Sequence, residues 1–289
     1  MGRSQRKHIS LLAVLLVLAW SAVAAGTSYA AEGGRGETAR LVQQQIMPPL
    51  AVLKGEEKKE DEIYADVFYE PSDIMQGNRT GHWNEITTLF AYTHQNVRSY
   101  IFVSQLERFD DKDYTGNYGS YINMKNSYLH YEVGFGWKVD YIYKMQTMLE
   151  YGHKLYENLF WQMGYTWRNY STHDTHLVYP GLIYYFGDSY ISSDWGVIYK
   201  EHSSTGFMGI FKGNFAITKA LNLYGGVAVG QRLYDIFELK ACKENGYILF
   251  TGLNYKFFKN WSARFGISYG TEEPKFIKRS LDFGLSLKF

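Results

Sequence analysis

From residue 63 to the C-terminus, apolar side chains recur at every second position, not at the 3.6-residue spacing of a helix. The last stretch is the clearest. Leu281, Phe283, Leu285, Leu287 and Phe289 share one parity, while Ser280, Asp282, Gly284, Ser286 and Lys288 share the other. Trp261, Ala263, Phe265, Ile267 and Tyr269 alternate in the same way with Ser262, Arg264, Gly266, Ser268 and Gly270. Leu159, Trp161, Met163, Tyr165 and Trp167 repeat the pattern, as do Leu129, Tyr131, Val133, Phe135 and Trp137. A pleated strand sends successive side chains to opposite faces, so each stretch predicts a strand with one greasy and one polar face.

Greasy faces that meet would make a soluble sandwich. The residue types point elsewhere. The polar parity carries Gly, Arg, Glu and Asp, and the greasy parity carries large aromatics at strand ends, where a bilayer interface needs them. Each stretch runs about 10 residues, enough to cross a bilayer when tilted. A sheet in lipid must close, because edge N–H and C=O groups would have no partner. The expectation is an all-β chain folded as a transmembrane antiparallel up-and-down β-barrel. Strands are predicted near 62–71, 82–94, 98–108, 112–124, 127–137, 145–156, 159–170, 176–186, 189–199, 207–217, 222–233, 247–257, 261–270 and 280–289. That makes about 14, or 12 if residues 63–94 are irregular. Short turns such as Lys125-Asn126, Gly187-Asp188 and Phe258–Asn260 belong on the periplasmic side, and the longer connections 201–206, 234–246 and 271–279 outside.

The first residues read as an address. Arg3, Arg6, Lys7 and His8 precede the apolar run Ile9–Ala24, and Ser28-Tyr29-Ala30 supplies small residues for cleavage. Residues 1–30 are expected to be a secretory signal peptide cleaved after Ala30, with Ala24 a second possible cut and an uncleaved anchor the alternative. No Cys follows the signal closely enough for a lipid anchor, because the single Cys is Cys242. Residues 31–61, with Gly33-Gly34, Pro48-Pro49 and the charged run Glu56–Glu62, read as a flexible periplasmic tether and a candidate plug. Residues 62–289 make up the barrel.

Composition agrees. Of 289 residues, 30 are Lys or Arg and 29 Asp or Glu, so no basic surplus recommends a nucleic-acid partner. Mean hydropathy is negative, against a polytopic helical membrane protein. Yet aromatics reach 18%, with 26 Tyr and 18 Phe. The alternation assigns these rings to membrane contact more than to core packing, with Tyr121, Tyr128 and Tyr224 as inward exceptions.

Several segments resemble a known family. They are Gly81-His82-Trp83-Asn84-Glu85, Tyr151-Gly152-His153, Gly164–Tyr170, and His176–Asp188 with its Pro180-Gly181-Leu182 and Tyr185-Phe186-Gly187-Asp188. Together they resemble the YaiO family of outer-membrane β-barrels over residues 62–289. The resemblance implies the cell outer membrane as location and brings no established activity. Members often carry helical repeats or have glycan-handling domains or neighbours. This chain departs from that, having only the short tether.

The polar parity supplies the candidate chemistry. Glu132, Glu150, Lys154, Arg168, Asp194, Lys212, Arg232 and Arg264 are predicted to line the lumen, together with Tyr121, Tyr128 and Tyr224, whose rings suit sugar faces; Glu85, Glu107, Lys256 and Asp282 share the alternation. Such a set either seals a small interior with ion pairs or lines a narrow conduit for a polar solute or glycan. A porin-sized channel needs about 16 strands. His173, Asp174, His176 and His202-Ser203 fall near external loops, where a Ser/His/Asp set would make a rim hydrolase, but they show no tight signature. No catalytic residue, metal ligand or cofactor is called for, and Cys242 reads as an incidental loop thiol. The expected partners are outer-membrane lipid and the barrel-assembly machinery, which reads a last strand ending in an aromatic such as Phe289.

Overall fold

The computed structural model describes residues 61–289 except 109–110, 140–141, 172, 201–204, 232–244 and 273–275. The signal peptide and the tether up to residue 60 lie outside the described residues, as do Arg232, His202 and Cys242.

Fourteen antiparallel strands close into one barrel in sequence order, with β1 beside β14. They are β1 (Glu62–Gln76), β2 (Arg79–His94), β3 (Val97–Arg108), β4 (Asp111–Asn123), β5 (Ser127–Trp137), β6 (Met145–Lys154) and β7 (Leu159–Asn169), followed by β8 (Asp174–Phe186), β9 (Ser189–Lys200), β10 (Gly206–Ala216), β11 (Leu221–Gln231), β12 (Asn245–Lys256), β13 (Trp261–Glu272) and β14 (Phe276–Lys288). The expectation of 14 strands holds, and the 12-strand alternative falls. The first hairpin is fully regular, paired from Glu62↔Thr93 to Gln76↔Arg79.

That hairpin departs from expectation in its length. The sequence places the strands near 62–71 and 82–94, leaving residues 72–81 between them. The strand instead runs on to a two-residue turn at Gly77-Asn78, where Gly77 has φ +62°, a value that favours a residue without Cβ. Proline is tolerated at a local cost in pairing. Pro71 pairs with Asn84 on β2, while the β14 ladder skips from Tyr69↔Phe283 to Ser72↔Ser280. Pro180 does the same on β8: it pairs with Met163 on β7, and the β9 ladder skips from Val178↔Val197 to Gly181↔Asp194. A residue with no N–H leaves one side of its ladder open.

Both termini of the barrel lie at one end, called here the terminal end. The connections there are short; those opposite include 138–144 and 232–244, the pattern of short periplasmic turns and longer extracellular loops. The outward parity is apolar and exposed, with Phe207 and Trp195 each 63% accessible. In water this belt would be a liability; in a bilayer it is the buried face.

The inward parity is buried, and it is more aromatic than expected. Beside Tyr121, Tyr128 and Tyr224 it carries Phe68, Trp83, Tyr100, Phe102, Phe160, Tyr179, Tyr185, Tyr190, Phe250 and Phe276. The aromatic surplus therefore serves both faces, and three inward tyrosines undercounts the interior share. One sequence assignment reverses: Glu107 shares parity with the exposed Ile101 and Val103, whereas Leu106 and Arg108 on either side of it are buried, so it faces outward near the outer end of β3.

Candidate functional site

The inner wall is organised by a repeated device that links strands two apart. A long polar side chain lies across a glycine on the neighbouring strand and bonds with the strand beyond. Tyr100 on β3 crosses Gly119 on β4, and its hydroxyl donates to Glu132 Oε2 on β5 at 2.8 Å. Tyr128 on β5 crosses Gly152 on β6 and meets Gln162 Oε1 on β7 at 2.9 Å. Tyr179 on β8 crosses Gly164 on β7 and donates to Glu150 on β6 at 2.8 Å. Asp194 on β9 reaches over Gly181 on β8 to accept from Gln162 on β7. At each of these glycines an added Cβ would fall inside the crossing side chain. Glycine here provides clearance, not backbone freedom.

These crossings join into networks. On the wall from β3 to β10, Glu132 also accepts from Gln146 Nε2 at 2.7 Å, and Arg168 Nε donates to Gln146 Oε1 at 3.0 Å. Glu150 Oε1 also lies 2.9 Å from the Tyr128 hydroxyl, which shares its one proton between Glu150 and Gln162, and Lys212 Nζ stands 3.7 Å from Asp194. Tyr121 stacks on His130 with centroids 3.7 Å apart and planes at 12°. On the opposite wall, Arg264 makes a forked contact with Asp282 Oδ2 at 2.9 and 2.7 Å, its guanidinium lying 4.8 Å over Phe68 and 5.5 Å over Tyr224. Tyr224 donates to the same oxygen at 3.2 Å. Nearby Lys278 bonds Glu70 at 2.6 Å. Hydrogen bonds to charged groups in such a setting contribute about 1.5–3 kcal/mol each.

The predicted lining residues thus fall into three groups. Glu132 sits with Arg168 through Gln146, Glu150 and Tyr128 connect through Gln162 to Asp194 and Lys212, and Arg264 sits with Tyr224. Lys154 stands apart at the terminal-end mouth, and Glu85 accepts from Thr87 at 3.2 Å. Sequence reasoning passed over Tyr100, Tyr179, Gln146, Gln162, Glu70 and Lys278. The signal available was an inward glycine set among large inward side chains on the strands to either side.

At the outer end, Ile142 and Tyr143, just before β6, turn inward. Both are buried, and the Tyr143 hydroxyl donates to Asn117 on β4 at 2.8 Å, narrowing the lumen beside β4–β6. Of the rim residues considered for hydrolysis, Asp174 and His176 are otherwise engaged, and His202 and Ser203 lie outside the described residues. Asp174 accepts from Asn169 and Trp167, and His176 Nδ1 pairs with the Tyr165 hydroxyl at 2.8 Å. Among the described residues, no group of three or more His, Cys, Asp or Glu side chains is placed to hold a metal ion.

No family model and no curated protein matches the chain. Solved structures do. The Ralstonia pickettii toluene transporter TbuX is 9% identical, with a TM-score of 0.55 over 91% of this chain and 95% of that chain. The Acinetobacter baumannii outer membrane protein Omp33 is 10% identical, with a TM-score of 0.52 over 79% of this chain and 99% of that one. A bacterial polysaccharide outer membrane secretin is 9% identical, with a TM-score of 0.52 over 81% and 100%. The likeness is one of fold. It defines the fold class: a closed barrel of 14 antiparallel strands with the architecture of bacterial outer-membrane β-barrels.

Proposed function

We propose that the barrel is a YaiO-type, non-catalytic outer-membrane conduit, narrow in bore, for the passage or export of a polar molecule such as a glycan. The observation that carries this reading is the chemistry of the β3–β10 wall. Hydroxyl-bearing rings (Tyr100, Tyr121, Tyr128, Tyr179) alternate with carboxylates and amides (Glu132, Glu150, Asp194, Gln146, Gln162). Rings that stack on sugar faces, beside groups that exchange hydrogen bonds with hydroxyls, suit a carbohydrate better than an ion. The YaiO likeness supports it through segments that fall on β2, β6, β7 and β8, the last three on or beside this wall.

The second reading is a sealed structural or interaction barrel, favoured by the burial of Glu132, Glu150, Asp194, Arg264 and Asp282. Planar-bilayer recording separates the two. The conduit reading expects discrete current steps that change with Arg168→Glu or Arg264→Glu, and liposome swelling with oligosaccharides. No steps at any voltage and no swelling would establish the sealed barrel. A rim hydrolase remains a third reading, to be tested by lipase and protease assays with His173→Ala and His202→Ala.

A further inference from the structure

We infer that residues 31–60 of this chain occupy the barrel lumen, entering at the terminal end and covering the apolar inner wall formed by β10–β14, β1 and β2. The inference starts from a mismatch between bore and burial. Inward side chains alone fill a barrel of about 8 strands, and 16–18 strands leave an open channel. This barrel has 14, and its substantial strand contacts are all between ladder neighbours, so the walls do not collapse on each other. Yet inward side chains are withdrawn from solvent at every height: Phe276, Ile248 and Gln146 toward the outer end, Asp282 further in, Tyr128 and Phe160 near the terminal end. Wall side chains cover one another in part, as Arg108 does over Trp83 at 4.5 Å, and a further layer inside the wall would complete the cover.

The inward-turned Ile142 and Tyr143 cover only the β4–β6 sector. The opposite sector carries the Arg264–Asp282 and Lys278–Glu70 pairs and, beside them, the largest apolar cluster among the described residues. Ile74, Trp83, Met208, Ile210, Ala228 and Ile248 form one continuous apolar surface with Phe250 and Phe276, and the Trp83 indole N–H has no hydrogen-bond partner. A water-filled lumen would wet this wall at about 25 cal/mol per Å².

The segment before β1 has the matching chemistry. Ile46, Met47, Leu50, Ala51, Val52 and Leu53 are apolar, and backbone carbonyls freed by Pro48-Pro49 suit a lone indole donor. Its end is fixed at the rim, because the Asp61 carboxylate accepts from His94 at 2.7 Å and Tyr92 at 3.0 Å. Reach is sufficient. Residues 46–53 precede Asp61 by 8 to 15 positions, which span about 12 Å if helical and about 50 Å if extended, against a barrel about 30 Å tall.

Cysteine chemistry on the assembled full chain tests this. In a Cys242→Ala background, single cysteines at positions 46 to 53 are paired with Ala228→Cys on the inner wall or with the exposed Val229→Cys outside. The inference expects an oxidised cross-link with Ala228→Cys for at least one position and none with Val229→Cys. Absence of any inner cross-link across the scan overturns it. A second readout is independent of pairing: removing residues 31–53 should raise the labelling rate of Ala228→Cys by a water-soluble maleimide about tenfold in a barrel that keeps its heat-modifiable migration. Unchanged labelling in that folded variant also overturns it. Neither readout needs conductance, so a barrel that passes no current would sink the conduit reading and leave this one standing.

Discussion

The Tyr128 hydroxyl on β5 donates to Gln162 on β7, two strands away, at 2.9 Å, and the bond exists because the residue between them, Gly152 on β6, has no side chain. Inter-strand hydrogen bonds hold a barrel only to its nearest neighbours. Crossings of this kind add a second hoop inside the first, made of side chains. Tyr100 over Gly119, Tyr179 over Gly164 and Asp194 over Gly181 extend the hoop along the wall from β3 to β9.

Gly152→Ala tests that hoop. Tyr128 is fully buried, so its ring has little room to yield to a new Cβ, and it must leave both Glu150 and Gln162. Overpacking and two broken buried hydrogen bonds together cost about 2–4 kcal/mol. Gly116→Ala is the matched control, since its Cβ would meet only Trp137 carbons at 3.4 and 3.6 Å, and the expected loss is under about 1 kcal/mol. Urea unfolding in lipid vesicles, followed by loss of the heat-modifiable band, measures both. Equal losses would mean that the crossings carry no special weight.

Arg264 and Asp282 form the corresponding pair on the other wall, packed between Phe68 and Tyr224. Arg264→Met strands a buried carboxylate with Tyr224 as its remaining side-chain donor, at an expected cost of about 3–5 kcal/mol. Adding Asp282→Leu removes the stranded charge, and the double variant should recover most of the loss, because a buried pair adds little net stability over apolar groups of similar size. A double-mutant cycle in the same unfolding assay gives the coupling. A double variant no better than Arg264→Met would show that the ring contacts, not the charge pair, carry the effect.

The hydrophobic period made the architecture legible. Alternation specifies strand, face and parity together, so strand positions, their count and the placement of Glu132, Glu150 and Arg264 follow from it. Two things were hidden. Pro71 masked five residues of β1, because a proline mid-strand forbids one ladder bond and not both neighbours. The inner aromatics were hidden where both parities carry rings, as in Tyr184, Tyr185 and Phe186 on β8, whose inward member is Tyr185 alone. Which tyrosine meets which carboxylate depends on register between strands dozens of residues apart, and one chain's alternation does not encode it.

Asp61 sets a pH dependence at the rim. The hydrogen bonds from His94 and Tyr92 hold its carboxyl below the usual carboxylate range. A depressed folded pKa contributes above the unfolded value and loses its effect as pH falls through the lower folded one. The latch is therefore complete at neutral pH and is lost as pH falls below the usual carboxylate range. Because the group is exposed, the effect is local. The protection factors of the Ile63 and Tyr64 amides, taken against the intrinsic exchange rate at each pH, should fall on acidification, while global unfolding is unchanged. Asp61→Asn should show the lower protection already at neutral pH, with the acid-dependent step gone.

The last residue separates folding from assembly. The Phe289 backbone N–H donates to Ile63 O at 2.9 Å, closing the seam where β14 meets β1, and Lys288 bonds Glu62 beside it. The Phe289 ring takes no part in either contact and continues the outward row of Leu281, Phe283, Leu285 and Leu287. Phe289→Ala leaves the backbone donor in place, so the assembled barrel should unfold within about 0.5 kcal/mol of the parent, as surface changes away from such features do. Delivery should suffer instead if the barrel-assembly machinery reads that ring. Pulse-chase appearance of the heat-modifiable form should slow for Phe289→Ala and stay normal for Lys288→Gln, which weakens the seam without touching the aromatic. Slowing by Lys288→Gln alone would place the demand on seam closure and remove Phe289 as a recognition element.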